Sequence, residues 1–300
     1  MLCIKSLPRH PLTAPLLATL VSLCWGANFT AGKLALGHFP AFEASALRFI
    51  IVCIALAPFA WRVPRLRWRD ALALSLLYIT LHFAPMFYAM QMGISLTSTV
   101  MISQMGVPFS CLLAAIFFRD YLGPWRSAGL LISFTGLLFM TGNPDVIQHQ
   151  SAFAVALCGA FAWGCANSYM KIMPKAHVVS LLFWPGLLAI PQLAIASYFI
   201  ESNQIALLST AGLTAWLALG YNGLVSSIVG YGIWMWLLAR YEVSRVVPYS
   251  LLMPVFGLLV GQMFFPEPLG PSHMAGMALT LVGVAIITLR RPKLVGTEKI

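Results

Sequence analysis

Apolar runs of about twenty residues, parted by short polar stretches, follow one another along the whole chain. They fall at Pro11–Leu36, Ala41–Trp61, Ala71–Met92, Thr97–Phe118, Arg126–Gly142, Ser151–Met173, Val178–Ile200, Leu213–Leu238, Ser244–Phe265 and His273–Leu289. A helix of about 20 apolar residues crosses the roughly 30 Å of bilayer hydrocarbon. The fifth run is short and the first carries polar residues, so these two are the weakest. The pattern predicts an all-α integral membrane protein of ten transmembrane helices.

Charge separates the connections into two kinds. All but two of the 18 Lys and Arg fall in alternate connections. These are Lys5 and Arg9; Arg62, Arg65, Arg67 and Arg69; Arg119 and Arg126; Lys171 and Lys175; Arg240 and Arg245; then Arg290, Arg291, Lys293 and Lys299. Short basic loops stay on the cytoplasmic side. Both termini are therefore expected in the cytoplasm, with the lipid bilayer as the chain's surroundings. The exceptions, Lys33 and Arg48, lie inside the first two spans.

Composition agrees. The chain is 60% hydrophobic and 9% charged over 300 residues, against about 25% charged in soluble domains. The net charge of +10 is spread as topology determinants rather than gathered on one face, so nucleic acid is not an expected partner. Attraction to anionic inner-leaflet lipid accounts for it. Lys5 and Arg9 precede an apolar run without a small-residue cleavage site and a polar mature region, which reads as an uncleaved first helix. The six cysteines contain no C-x-x-C pair and read as packing residues.

The chain also matches itself at about half its length. Phe117-Phe118-Arg119-Asp120-Tyr121-Leu122-Gly123-Pro124 parallels Phe264-Phe265-Pro266-Glu267-Pro268-Leu269-Gly270-Pro271. At the same offset Gly129 meets Gly276 and Gly136 meets Gly283, and one residue out of step Pro108 meets Pro254. Trp25-Gly26 precedes Lys33 as Trp163-Gly164 precedes Lys171, with Asn28 and Asn167 between. Each half holds five spans, an odd number, so equivalent turns fall on opposite faces. The expected organisation is two inverted five-helix repeats, 1–142 and 151–290, followed by a cytoplasmic tail at 291–300. Inverted repeats are a recurrent plan of secondary transporters.

Trp25-Gly26-Ala27-Asn28-Phe29 with Lys33, then Leu47-Arg48-Phe49, resembles the first two helices of the EamA family in the drug/metabolite transporter superfamily. The Asp120-x-Leu-Gly and Glu267-x-Leu-Gly turns are similar to that family's acidic turn, with Asp in the first copy where Glu is usual. The second half is most similar to the bacterial exporters of O-acetylserine and cysteine within it. It shares Ala162-Trp163-Gly164-Cys165-Ala166-Asn167, Ile228-Val229-Gly230-Tyr231-Gly232-Ile233-Trp234 and Ser250-Leu251-Leu252-Met253-Pro254-Val255. The resemblance implies a bacterial inner-membrane exporter with a central cavity lined mainly by helices 1, 3, 4, 6, 8 and 9.

Polar groups inside hydrocarbon need a partner or a watered cavity. The cavity candidates are Asn28, His82, Ser103, Gln104, Trp163, Asn167, Asn222, Ser226, Tyr231 and Tyr249, of which Asn222, Ser226 and Tyr231 recur at near-helical spacing. Such neutral donors and acceptors suit a small zwitterionic substrate. Packing and bonds to the local backbone are the alternative for each Ser and Thr. Mid-span His82 is a candidate for proton coupling, or a neutral ring bonded to a neighbouring helix. Lys33, Arg48 and Lys171 are gate or charge candidates. Arg48 lies five residues after Glu43, a poor spacing for an intrahelical pair, so structural pairing with another helix, rather than substrate contact, is expected for it.

These features point to a secondary exporter of small metabolites of the amino-acid kind, working by alternating access. Export of aromatic amino acids or lipophilic drugs is the alternative. No metalloprotease, hydrolase or nucleotide-loop motif is present and no metal-ligand cluster is found, so neither an enzyme nor a cofactor is expected.

Overall fold

The computed structural model describes residues 13–118, 123–202, 210–241 and 246–289. Among the described residues every regular element is helical. In chain order they are α1 (Thr13–Leu36), α2 (Ala41–Ala60), α3 (Trp68–Gln91), α4 (Leu96–Phe118), α5 (Gly123–Thr141), α6 (Gln150–Ile172), α7 (Val178–Ile200), α8 (Leu213–Arg240), α9 (Val247–Phe264) and α10 (Pro271–Leu289), with a one-turn helix at Pro144–Gln148. Eight of these are long and apolar enough to cross a membrane. The other two are α5, whose sequence is diluted by Arg126, Ser133 and Thr135, and α10, whose apolar part is the shorter run Met274–Leu289. The chain is thus a helical multi-pass membrane protein. Asp120, half of the matched acidic turns, lies outside the described residues.

Local chemistry explains several helix limits. Pro40 takes an extended conformation before α2, and Ser95 caps α4 by accepting a hydrogen bond from the Ser98 N–H. Pro108 lacks the N–H that would reach the Gln104 carbonyl, and α4 breaks into a turn at Gln104 and Met105. Pro254 likewise offers no N–H to the Ser250 carbonyl, and α9 begins as a 3-10 turn at Val247–Leu251. In α3 and α8 the middle segments, Ser75–Phe83 and Tyr221–Gly230, are π-helical. Apolar periodicity alone predicts neither.

Small residues set the helix pairs. A Cβ added to Gly26 of α1 would stand 2.6 Å from the Gly257 nitrogen and the Met253 oxygen of α9. One added to Gly164 of α6 would stand 2.8 Å from the Phe109 Cβ of α4. Between α5 and α10, Gly136 faces the backbone of Gly276 and Thr280, and Gly129 faces that of Gly283. Contact this close is the usual basis of helix association where lipid removes the hydrophobic drive. Large apolar side chains such as Ile54, Leu131, Ile195 and Leu217 remain exposed on outward faces.

Candidate functional site

Four helices leave regular α geometry where they border one cavity: the π segments of α3 and α8, the turn in α4 and the 3-10 start of α9. Irregular backbone is tolerated at membrane depth where it is enclosed by protein or lines a cavity, and π segments concentrate at functional positions. A cavity of about 380 Å³ lies there. Gln104 and Ser250, whose carbonyls lose the i+4 donor to the two prolines and accept from the nearer N–H groups of Val107 and Leu252 instead, both line it.

Of the cavity candidates, Asn28, His82, Ser103, Gln104, Trp163, Asn167, Ser226 and Tyr231 line this space. Asn222 and Tyr249 do not. In π geometry the backbone repeats at five residues, so Ser227 stands over Asn222 and its hydroxyl donates to the Asn222 carbonyl at 2.9 Å. Asn222 is fully buried away from the lumen. The Tyr249 carbonyl instead accepts from the Ser22 hydroxyl at 2.7 Å, tying α9 to α1. The lining extends beyond helices 1, 3, 4, 6, 8 and 9, since Arg48 of α2 and Val178, Leu181 and Leu182 of α7 contribute.

Aromatic rings form a continuous wall. Trp25 and Tyr231 lie 5.0 Å apart, Tyr231 and Tyr78 5.9 Å, Tyr78 and Trp163 5.0 Å, and Trp163 and His82 4.9 Å. Gly230 makes room for Trp25, whose indole Nε1 donates to the Ser226 carbonyl at 3.1 Å. His82 Nδ1 lies 3.0 Å from the Gly159 carbonyl of α6, a bond that a neutral ring makes with Nδ1 protonated. Asn167 donates to the Ser110 hydroxyl at 3.0 Å.

Arg48 is 1% exposed. Its Nε and Nη2 donate to the Ser227 hydroxyl oxygen at 3.2 and 2.9 Å. The guanidinium carbon lies 4.2 Å from the Phe83 ring centroid, within cation–π range.

Lys33 and Lys171 lie away from the cavity. Lys33 Nζ donates to Glu267 Oε1 at 2.7 Å. The same carboxylate accepts the backbone N–H groups of Leu96 and Thr97, at 2.8 and 2.9 Å, at the start of α4. Burial alone would raise the Glu267 carboxyl, but these donors outweigh it and hold the group below its ordinary range. Two other carboxylates work at the same end of the bundle. Asp145 accepts from the Ser95 N–H and the Ser98 hydroxyl, and Glu201 accepts from the N–H groups of Phe42 and Glu43 at the start of α2. Helix N-termini favour negative charge. Lys171 lies at the opposite end, its Nζ 4.6 Å from the Phe118 ring centroid. Near it Asp70 accepts from Tyr169 Oη at 2.7 Å and from Arg67 Nε at 2.7 Å. The cavity lining runs from mid-bundle toward this Asp70 end and takes no residue from the Lys33 end.

Sequence reasoning missed Tyr78, and it did not set Ser227 and Ser250, in-span polar residues of helices 8 and 9, apart from their neighbours. Tyr78 is one tyrosine in an apolar run, and the π register that selects Ser227 has no marker in composition. The 234-residue separation of Lys33 and Glu267 hid their pairing, although each was singled out alone.

Known proteins share this architecture. A "Probable amino-acid metabolite efflux pump" of Salmonella typhimurium (strain LT2) is 34% identical over 278 residues, covering 90% of this chain and 93% of that protein. A protein of the same description from Escherichia coli (strain K12) is 33% identical, again over 90% of this chain and 93% of its own length. One crystal structure, 19% identical, superposes with a TM-score of 0.61 over 92% of this chain and 96% of its own, a likeness of fold. The model of the EamA-like transporter family matches residues 12–142 and 150–289. With the family model spanning nearly all of its helices, the chain belongs to the EamA-like transporter family.

Proposed function

We propose that this transporter exports amino acids or their small derivatives across a bacterial inner membrane by alternating access. The observation that carries this reading is the mid-bundle cavity. Aromatic faces and uncharged hydrogen-bonding groups converge there from both halves of the chain, and one end of the bundle is tied shut by ionic caps. Ten crossings in two inverted five-helix repeats, with both termini cytoplasmic, fit this reading. The α1–α9 contact at Gly26 has its counterpart in the α6–α4 contact at Gly164, as exchange of the halves requires. With the basic loops inside, Lys33 and Glu267 lie at the external end and the cavity faces the cytoplasm, the side from which an exporter loads.

O-acetylserine and cysteine are the cargoes drawn from the resemblance of the second half. A second reading, aromatic amino acids, draws on the ring wall of Trp25, Tyr231, Tyr78 and Trp163. Both are tested with purified protein in liposomes loaded with each labelled amino acid, with and without a pH gradient. Concentrative efflux of one of them is expected, and gradient-dependent accumulation identifies protons as the coupling ion. Equilibration without accumulation, under any imposed gradient, overturns active export.

A further inference from the structure

The geometry points to Arg48 as the carboxylate anchor of the transported molecule, with Asn28 as the acceptor for its ammonium, which restricts the cargo to α-amino acids bearing a free carboxylate. This rests on the reading of the chain as an amino-acid exporter and adds which atoms of the cargo are recognised, and by what.

Three observations carry it. First, the Arg48 guanidinium is used on one side only. Nε and Nη2 both donate to Ser227, while the buried Nη1 has no hydrogen-bond partner. Second, among the described residues no Asp or Glu lines the cavity, so the anionic partner that a buried cation needs is not supplied by the wall. A charge left unpaired away from water is costly, and a planar fork of N–H groups is complementary to a carboxylate. Third, Asn28, 5% exposed and lining the same cavity, holds a carbonyl oxygen Oδ1 that is also without a donor. A free donor on a cation and a free acceptor in one chamber are the two halves of a zwitterion's requirements.

The surroundings fix the guanidinium in place. Ser227 accepts from Arg48 and passes its own proton toward the Asn222 carbonyl, so its lone pairs face Arg48. Phe83 covers the guanidinium at 4.2 Å. Both supports belong to the π segments of α3 and α8. The aromatic wall beside Asn28, beginning at Trp25, adds ring faces to which an ammonium is attracted. A cargo with ammonium but no carboxylate would meet Arg48 as a like charge.

The test uses purified full-length protein in liposomes and in detergent, with L-phenylalanine, L-phenylalaninamide and 2-phenylethylamine, and with L-leucine, leucinamide and isopentylamine. In wild-type protein each free acid is expected to compete for labelled amino-acid efflux at least about tenfold better than its amide or amine, and to raise the melting temperature. Arg48→Gln is expected to fold, since it removes a buried unpaired charge, and to treat acid and amide alike. Arg48→Lys keeps the charge without the fork and retains part of the preference for acids. Ser227→Ala frees the guanidinium and weakens acids more than amides. Wild-type efflux of acids with an unchanged acid-to-amide ratio in Arg48→Gln overturns the anchor and leaves amino-acid export standing. Efflux of the amines in preference to the acids overturns both.

Discussion

The Lys33 end of the bundle and the cavity treat their buried polar groups differently. At the Lys33 end, Glu267, Asp145 and Glu201 each meet backbone N–H groups at a helix start and Glu267 also holds Lys33, so that among the described residues Glu43 Oε2 is the carboxylate oxygen left without a partner there. In the cavity, Arg48 Nη1 and Asn28 Oδ1 are left without partners. A network that pairs most of its members fixes one arrangement of helices, because opening it leaves several groups unpaired at once. An incomplete one is finished by whatever binds. Stability is therefore concentrated at one end and recognition in the cavity, in a membrane bundle whose apolar surfaces resemble each other throughout.

The contrast can be broken from the sealed end. Glu267→Ala removes the partner of Lys33 and two N–H acceptors of α4 together, and is expected to cost about 2–4 kcal/mol in thermal melting, the largest effect here. Protonation does part of this without mutation. The folded carboxyl lies below its ordinary value of 4.5, so its contribution is complete above that pH and fades as pH falls through the lowered folded value. Melting temperatures followed from about pH 6 to pH 3 should fall for wild type and fall less for Glu267→Gln.

Substitution in the cavity sharpens the contrast. Asn28→Leu keeps volume and removes an acceptor that nothing in the fold uses. Efflux should drop about tenfold, roughly 1.4 kcal/mol, while melting of the ligand-free protein stays within about 0.5 kcal/mol of wild type. A melting loss as large as that of Glu267→Ala would erase the distinction. Asp145→Asn, which weakens the Ser95 and Ser98 contacts and the 3.4 Å approach to His149 Nδ1, should cost about 1 kcal/mol in the same assay. The smallest effect is expected from His82→Gln. The ring's bond to the Gly159 carbonyl is served by a neutral group, so the shape of the efflux–pH curve should be unchanged; a displaced midpoint would return His82 to proton coupling.

Much of the helix plan is legible in the chain. Hydrophobic runs locate α1 to α10 within a few residues, because each helix must cover its own backbone in lipid. Trp25-Gly26 and Trp163-Gly164 announce equivalent packing, because close backbone approach requires glycine wherever it occurs. The site is legible in its residue types and not in its register. Asn222 and Ser226 share a face on a regular α-helix; the π segment turns Asn222 away, leaves Ser226 and Tyr231 at the cavity and brings Ser227 to Arg48. Prolines inside spans, as Pro108 and Pro254 are, mark helix irregularities, but the exposure of Gln104 and Ser250 to one chamber depends on α4 and α9 meeting across the bundle.

The interlock of α5 with α10 reaches beyond mechanics. A Cβ on Gly136 would stand 2.7 Å from the Gly276 oxygen, and one on Gly276 would stand 2.9 Å from the Gly136 oxygen. Gly129 and Gly283 oppose each other in the same reciprocal way. Each glycine therefore occupies the room that its counterpart's missing side chain vacates. Over generations, a methyl group accepted at one of these positions withdraws tolerance at the other, so residues far apart along the gene share a single mutational fate.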